Sequence, residues 1–494
     1  MISFKKRTKI ICTIGPVSAD QETLEKLIKN GMNVARLNFS HGSYDSHAGL
    51  IKNIRAAAKK LNQPVAILQD LQGPRIRIGE VAGEGLKTKK GDQVALVAPK
   101  LKNSARGGST SPASLREAGR AGGKKIKNYS VVPIQYENLY KDVKKGSEIL
   151  IEDGTIKLKV TKVDPRIIKC EVVVPGIIKT HKGINVPGVT LKAEVMTPKD
   201  KKDIRFGVKQ GVDFIALSFV KDDRDIKNLK KIIAKHEPKA KVRTQVIVKI
   251  ERADAVTNFD RILKEVDGVM IARGDLGIEL PAENIPLLQK EIIMKCLFAA
   301  RPVIVATQML DSMIRTSRPT RAEVTDVATA VTDHADATML SGETATGQYP
   351  VEACQMMAKI LAKTEESKYD DLKCSVFDSV DRNQALGLSV CQLIQDVGAK
   401  AIVMFSREGL EARVLSRHRI QKPLVVLTDH EKVQRQLNLA YGVEPILAKK
   451  MTQRKFLEKG CDLAKSLKLA KKGEIIIVTA GGDSKLEFLD VCRL

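Results

Sequence analysis

Lys249, Glu251 and Asp275 have side chains and a spacing from which a chemistry can be read, and all three fall within residues 245–280. Lys249 and Glu251 stand two residues apart at the end of a short β-branched run, residues 245–250, of the kind a strand buried on both faces requires. Strand alternation therefore places both on one face. A helical segment follows, with Val256, Phe259, Ile262, Leu263 and Val266 at spacings of three and four. Residues 268–272 form a second apolar strand that runs into Arg273-Gly274-Asp275-Leu276-Gly277. Parallel neighbours lie about 4.8 Å apart, so Glu251 and Asp275 are expected to meet at one mouth of the sheet with Lys249 beside them. Two such carboxylates suit a hard divalent cation, Mg²⁺ (or Mn²⁺). Gly274 and Gly277 predict a glycine loop whose amides form an anion-binding nest. Lysine, metal pair and nest together point to chemistry on a small phosphorylated acid. Singly, a Lys-x-Glu pair is more often a salt bridge, and an Asp between glycines a turn residue. Their coincidence at consecutive strand ends, where α/β proteins place their sites, favours function.

The elements that must position these groups follow a β-α rhythm. Residues 9–14, 33–38 and 65–68 read as strands, with a helix capped by Ser18 between the first two and one carrying Leu50, Ile51 and Ile54 before the third. Residues 75–193 break the rhythm with short alternating runs at 93–97, 148–151, 157–160 and 167–174, the pattern of a small β domain. Residues 100–127, rich in Gly, Ser and Lys, read as a loop or partly disordered insert. The rhythm resumes with strands at 214–217, 245–250, 268–272, 302–306 and 337–340. Three strands before the insert and five after it predict a (β/α)₈ TIM barrel interrupted after its third strand, with an open doubly wound sheet as the alternative. A linker near residues 369–382 leads to a separate α/β piece with strands at 401–405, 423–427 and 474–478. The expected domains are 1–74 with 194–368 as the barrel, 75–193 as a β-rich lid, and 383–494 as a C-terminal α/β domain.

Composition narrows the function classes. No apolar run in the 494 residues approaches the length needed to span a bilayer. The basic start, Met1 to Arg7, leads into a strand and a turn and does not read as a secretory signal. Eight scattered cysteines without a CxxC pair read as reduced core thiols, so a cytoplasmic protein is expected. The net charge of +26 admits nucleic acid, an anionic surface or anionic substrates. With no Trp, 4% aromatic residues and no nucleic-acid motif, a positive surface around a site for small anions is the simpler explanation.

At the carboxyl ends of the eight strands stand Arg36, Asn38, Ser40, His41, Asp70, Ser218, Lys249, Glu251, Asp275, Thr307, Gln308, Ser341 and Glu343. Crowding of polar side chains there is what an active site on the loop face of a barrel needs. The stretches that hold these residues also carry a resemblance. Thr8-Lys9-Ile10-Ile11-Cys12-Thr13-Ile14-Gly15-Pro16, Asn33-Val34-Ala35-Arg36-Leu37-Asn38-Phe39-Ser40-His41-Gly42 and Ile271-Ala272-Arg273-Gly274-Asp275-Leu276-Gly277 are similar to motifs of the pyruvate kinase family. So are Ala306-Thr307-Gln308-Met309-Leu310, Arg318-Pro319-Thr320-Arg321-Ala322-Glu323 and Met339-Leu340-Ser341-Gly342-Glu343-Thr344-Ala345. The resemblance covers the barrel, weakens across the insert and is loose in the C-terminal domain.

The resemblance implies that phosphoenolpyruvate and ADP give pyruvate and ATP, the last step of glycolysis, in a barrel with a mobile β lid and a C-terminal regulatory domain. It assigns Mg²⁺ to Glu251 and Asp275, charge stabilisation to Lys249, and the substrate carboxylate to Thr307 with the amides of Gly274 and Asp275. Arg36 and Arg77 match phosphate contacts, Asn38 and His41 match nucleotide contacts with Arg77, and Lys182 is a further nucleotide contact from the lid. Thr307 and Ser341 are placed to hold the water that protonates the enolate. Many relatives need K⁺, held by residues matching Asn38, Ser40, Asp70 and the carbonyl of Leu71. Those relatives have glutamate where this chain has Arg75, and members with Leu, Gln and Lys at positions 71, 72 and 75 tend to work without K⁺; activity without K⁺ is therefore expected here. In relatives activated by fructose 1,6-bisphosphate, a Ser/Thr-rich loop wraps the sugar phosphate. Ser406-Arg407-Glu408-Gly409 stands there, and Glu408 is expected to repel it. A homotetramer is implied, with no nucleic-acid or membrane partner. The competing readings are a Mg²⁺-dependent barrel lyase or aldolase acting through an enolate, and a catalytically silent basic binding protein.

Overall fold

The computed structural model describes residues 6–98, 126, 128–190, 192, 194–370, 372, 382–449, 453–482 and 485–494. Eight short parallel strands close on themselves in chain order: Lys9–Thr13, Met32–Asn38, Ala66–Asp70, Phe214–Leu217, Gln245–Ile250, Gly268–Ala272, Val303–Ala306 and Ala337–Leu340. The first strand pairs with the last, Lys9 opposite Ala337 and Ile11 opposite Met339, so no edge remains open. The expected barrel is thus present and the open sheet is excluded. Alternate side chains fill the interior, among them Ile11, Leu68, Phe214, Met270 and Met339, with Leu439 of the C-terminal domain plugging the same cluster. The other face of each strand packs on the surrounding helices in a larger apolar core. This two-sided burial is why the strands read as continuous apolar runs.

The chain leaves the barrel at Gly73, whose φ of +67° and close approach to Phe219 exclude a Cβ. It enters a seven-stranded sheet built from Ile76–Arg77, Gln93–Val97, Ser130–Pro133, Glu148–Ile151, Ile156–Asp164, Ile167–Val174 and Gly183–Asn185. Leu86–Lys87 and Ile177–Ile178 make a separate pair. The sheet has its own apolar cluster, which includes Val94, Ile149, Leu158 and Cys170. The expected insert 100–127 lies, apart from Ile126, outside the described residues, and so does most of the expected linker 369–382.

The C-terminal sheet runs in the order Val443–Leu447, Leu424–Thr428, Ile402–Phe405, Ile475–Gly482, Lys485–Arg493, with the last strand antiparallel. Two of these strands were not expected. Val443–Leu447 contains Pro445, which an edge strand tolerates, and Lys485–Arg493 alternates charged and apolar residues as the opposite edge. Three further differences have local causes. Asp20, not Ser18, caps the first helix by accepting the Thr23 amide at 2.9 Å, while Ser18 turns back to the Gly15 amide. The segment after Ile250 is split at Asn258, whose side chain donates to the Lys221 carbonyl. Cys12, Cys170, Cys296, Cys354, Cys461 and Cys492 are free thiols, but Cys391 is disulfide-bonded, against the expectation of reduced thiols throughout; Cys374 lies outside the described residues.

Candidate active site

The fifth strand delivers Lys249 and the loop after it Glu251, on one side as strand alternation requires. Lys249 Nζ lies 2.6 Å from Glu251 Oε1 and 3.5 Å from Asp70 Oδ1, and donates to Ser218 Oγ at 2.9 Å. The lysine side chain is 13% exposed and Glu251 only 1%, so water screens their charges weakly. Burial works against the ammonium, yet Asp70 and Glu251 outweigh it and hold the lysine pKa above its ordinary value. Glu251 is pushed up, by burial first and then by the charge of Asp275, with Lys249 opposing. Asp70 is buried too, but Lys249 and Arg36 override desolvation and lower its pKa. Ser218 passes the network on by donating to the Leu71 carbonyl at 2.8 Å.

Asp275 sits in the first turn of a helix, Arg273–Glu279, so the expected glycine loop is a helix start instead. A helix N-terminus supplies the same outward amides that a nest would. The helix is held from below: Arg273 reaches Asp326 through both Nη atoms, at 2.6 and 2.7 Å, and the Thr307 carbonyl at 2.9 Å. The Gly274 amide donates to Thr307 Oγ1 at 2.9 Å. Thr307 and Gln308 have φ of +69° and +56°, left-handed values that a β-branched residue rarely adopts. Strain of this kind, held by the seventh strand, aims the threonine hydroxyl at the helix start.

Arg36, on the second strand, grips Asp70 Oδ2 through Nε at 2.8 Å and Nη2 at 2.6 Å, and donates to Thr13 Oγ1 at 2.9 Å. Of its five N–H groups two remain for an anion. Arg75, at the exit to the β sheet, lies 2.8 Å from Asp153 of that sheet and 3.9 Å from Asp275. The sequence alone did not show which way this guanidinium turns. Asn38 Oδ1 accepts the Ser40 amide at 3.1 Å, and the His41 carbonyl faces His47 Nε2 at 2.9 Å. On the β sheet, Arg77 donates to the His181 carbonyl at 3.0 Å and Lys182 pairs with Glu152. Ser341 donates its amide to Glu343, whose other oxygen accepts the Leu310 amide; burial pushes that carboxyl up.

The structure therefore gathers Lys249, Glu251, Asp70, Arg36, Asp275 and Arg75 into one charged cluster with Ser218. Thr307 and Gly274 lie against its Asp275 side. Among the described residues no hydrogen bond or ion pair ties Asn38, His41, Lys182 or Ser341 to that cluster. Sequence reasoning named Ser218 among the strand-end polar residues without a specific role and gave none to Thr13 or Arg273; Thr13 closes the first strand and Arg273 directly follows the sixth, which was the available signal.

Among the described residues no group of three His, Cys, Asp or Glu side chains forms a closed metal site. Glu251 and Asp275 are a two-carboxylate pair of hard oxygen donors, close enough that the Asp275 charge adds to burial in pushing the Glu251 carboxyl up. A hard divalent cation with open positions fits that donor set.

Residues 5–111 and 114–354 match the family model described as "Pyruvate kinase, barrel domain", and residues 384–493 the one described as "Pyruvate kinase, alpha/beta domain". The chain is similar to a pyruvate kinase of Bacillus licheniformis, 41% identical over 482 residues that cover 96% of this chain and 78% of that one. It is also similar to a pyruvate kinase of Clostridium acetobutylicum, 38% identical over 480 residues that cover 96% of each. A crystal structure of a pyruvate kinase from Cryptosporidium parvum superposes with a TM-score of 0.88 at 35% identity, covering 99% of this chain and 96% of that one.

Proposed function

We propose a division of labour at the barrel mouth from one established premise: this chain belongs to the pyruvate kinase family and is a phosphotransferase acting between phosphoenolpyruvate and ADP. The lyase or aldolase reading and the silent binding protein are not favoured beside relatives of that name matched over nearly the whole chain. The family generally needs a divalent metal. Glu251 and Asp275 are the residues to hold it here, and when bound it supplies positive charge to the substrate's phosphate and carboxylate oxygens.

The observation that carries the assignment is Lys249 Nζ, fixed among Glu251, Asp70 and Ser218 at the end of a buried strand. Phosphoryl transfer asks the protein for positioning and for screening of crowded negative charge. Lys249, kept protonated by its carboxylate neighbours, stabilises the phosphoryl in flight and the enolate left behind. Arg36 offers its two remaining N–H groups to the phosphate, and Arg77 approaches it from the lid. The amides of Gly274 and Asp275 with the Thr307 hydroxyl receive the substrate carboxylate, which displaces the present bond between Gly274 and Thr307. Asn38, His41, Arg77 and Lys182 face the nucleotide. Thr307 and Ser341 orient the water that delivers a proton to the methylene carbon.

The domain division 1–74 with 194–368, 75–193 and 383–494 belongs to the same proposal and is supported by separate apolar clusters. Family resemblance further supports a homotetramer working in the cytoplasm. Among the described residues no helix is long and apolar enough to cross a membrane. The test is pyruvate formation by purified protein with Mg²⁺ and phosphoenolpyruvate, with and without ADP. Pyruvate and ATP produced one for one, and only with ADP, is the expected result. Pyruvate and inorganic phosphate formed without ADP would mean transfer to water and contradict the phosphotransferase reading, and no turnover would favour the silent binding protein.

A further inference from the structure

The lid and the barrel do not share an apolar core: residues 76–186 supply one buried cluster and the barrel another. On one side a cleft of about 660 Å³ separates Tyr136 and Asn138 of the lid from Met196 and Pro198 of the barrel. On the other side a cavity of about 30 Å³ lies between Asn185 of the lid and Arg252, enough for a water or two. Both Asn185 Oδ1 and Arg252 Nε are buried there without a hydrogen-bond partner. The two apolar clusters are distinct, and polar clasps span both chain crossings between lid and barrel.

At the outgoing crossing the clasp is Arg75, reaching toward Asp275. At the returning crossing Arg252, the residue after Glu251, donates through Nη2 to the Val189 carbonyl at 3.1 Å and to Asp254 Oδ2 at 3.0 Å. The other oxygen of Asp254 accepts the Thr190 hydroxyl at 3.0 Å. Two barrel residues thus hold two consecutive lid residues, a carbonyl and a hydroxyl, directly beside the carboxylate that pairs with Lys249. Arg252 is 6% exposed, and its planar fork suits one donor group serving two oxygens.

We propose that Arg252 and Asp254 are positioning residues that latch the lid over the barrel mouth through Val189 and Thr190, and so set the affinity for the nucleotide held between lid and barrel. The inference rests on the nucleotide lying against Arg77 and Lys182. Neither latch residue touches the reacting atoms. Loss of the latch should raise the KM for ADP and leave kcat nearly unchanged, since the opened lid must be closed by nucleotide binding itself.

The experiment compares wild type with Arg252→Met, Arg252→Lys, Asp254→Asn and Thr190→Val. Hydrogen exchange of the amides in residues 183–190 is measured without ligands, and steady-state kinetics with phosphoenolpyruvate and ADP. Arg252→Met and Thr190→Val are expected to speed exchange in residues 183–190 but not in the strand Gln245–Ile250. They should also raise the KM for ADP on the order of tenfold, with kcat within about twofold, the scale of one lost charge-assisted hydrogen bond. Arg252→Lys, which keeps a donor for the carbonyl, should recover most of the affinity. Thr190 is exposed, so its variant tests the latch even if the arginine variant folds poorly. Unchanged exchange at 183–190 in both Asp254→Asn and Thr190→Val, or a fall in kcat with KM for ADP unchanged, would overturn the proposal. A wild-type protein without ADP-dependent turnover would instead refute the functional reading, because the exchange measurement needs no activity.

Discussion

Activity without K⁺ is the expectation for this chain, and replacing Arg75 by glutamate should create a requirement for it. Of the oxygens that match a monovalent cation site, three already accept hydrogen bonds from the protein, while Asp70 Oδ1 is buried without a hydrogen-bond partner. Asp70 Oδ2 is gripped by Arg36, Asn38 Oδ1 accepts the Ser40 amide, and the Leu71 carbonyl accepts Ser218. Arg75 brings a fixed positive charge to the same mouth, 3.9 Å from Asp275. Two opposite charges at that distance attract by roughly 4 kcal/mol at an effective dielectric of 20. The side chains are 31% and 25% exposed, and screening reduces the attraction to about 1–2 kcal/mol, on the order of tenfold in binding or rate. A substrate anion at a comparable distance from residue 75 would lose an attraction and meet a repulsion of similar size, so Arg75→Glu should lose tenfold or more in kcat/KM for phosphoenolpyruvate without K⁺, on the same scale of about 1–2 kcal/mol for each term. Added K⁺ should restore most of it. The assay is pyruvate formation in tetramethylammonium buffers with K⁺ titrated in, for wild type and variant. A wild type with hardly any turnover until K⁺ is added, or a variant as active as wild type in its absence, would refute the reasoning.

Fructose 1,6-bisphosphate should leave the saturation curve in phosphoenolpyruvate unmoved, because the buried carboxylate of Glu411 holds Ser406 Oγ at 2.5 Å where a phosphate would need that hydroxyl. A leftward shift that is lost on mutating Arg407 would contradict this. Burial holds the Glu279 carboxyl at about 7, above its ordinary 4.5, with Arg252 opposing and Asp254 and Asp275 adding. The folded state binds that proton more tightly than the unfolded chain, so stability falls as pH rises from about 4.5 to 7. Glu279→Gln should therefore gain in Tm over wild type on going from about pH 5 to about pH 8, and an unchanged difference would refute the assignment. Arg419→Met should lower stability by about 3–5 kcal/mol, read by denaturant unfolding, because it strips Asp336 of a buried partner between barrel and C-terminal domain. A loss below about 1 kcal/mol would place that pair among the energetically neutral ones.

What was legible in the sequence follows from short-range geometry. Lys249 and Glu251 could be placed on one face because strand alternation is rigid, and the barrel could be counted because its strands are buried on both sides. The helix start at Arg273 was mistaken for a loop because two glycines within five residues signal a turn, and only the anchor of Arg273 on Asp326 shows otherwise. The left-handed Thr307 leaves no local trace, since its conformation is imposed by the barrel and not by its own propensity. In the C-terminal loop the sequence pointed to Glu408. The carboxylate that engages Ser406 is Glu411, brought back by the turn at Gly409, where φ is +79°. Arg252 and Asp254 were passed over because their partners lie 63 and 64 residues away along the chain.

Turnover of phosphoenolpyruvate with ADP by Lys249→Ala tests the central claim most directly, with a melting curve to show that the variant is folded at the assay temperature. Loss of a fixed positive charge aimed at the transferring phosphoryl and the enolate predicts a fall in kcat on the order of a hundredfold or more. Near-normal turnover by the folded variant would contradict the account and move the chemistry away from the lysine at the end of the fifth strand.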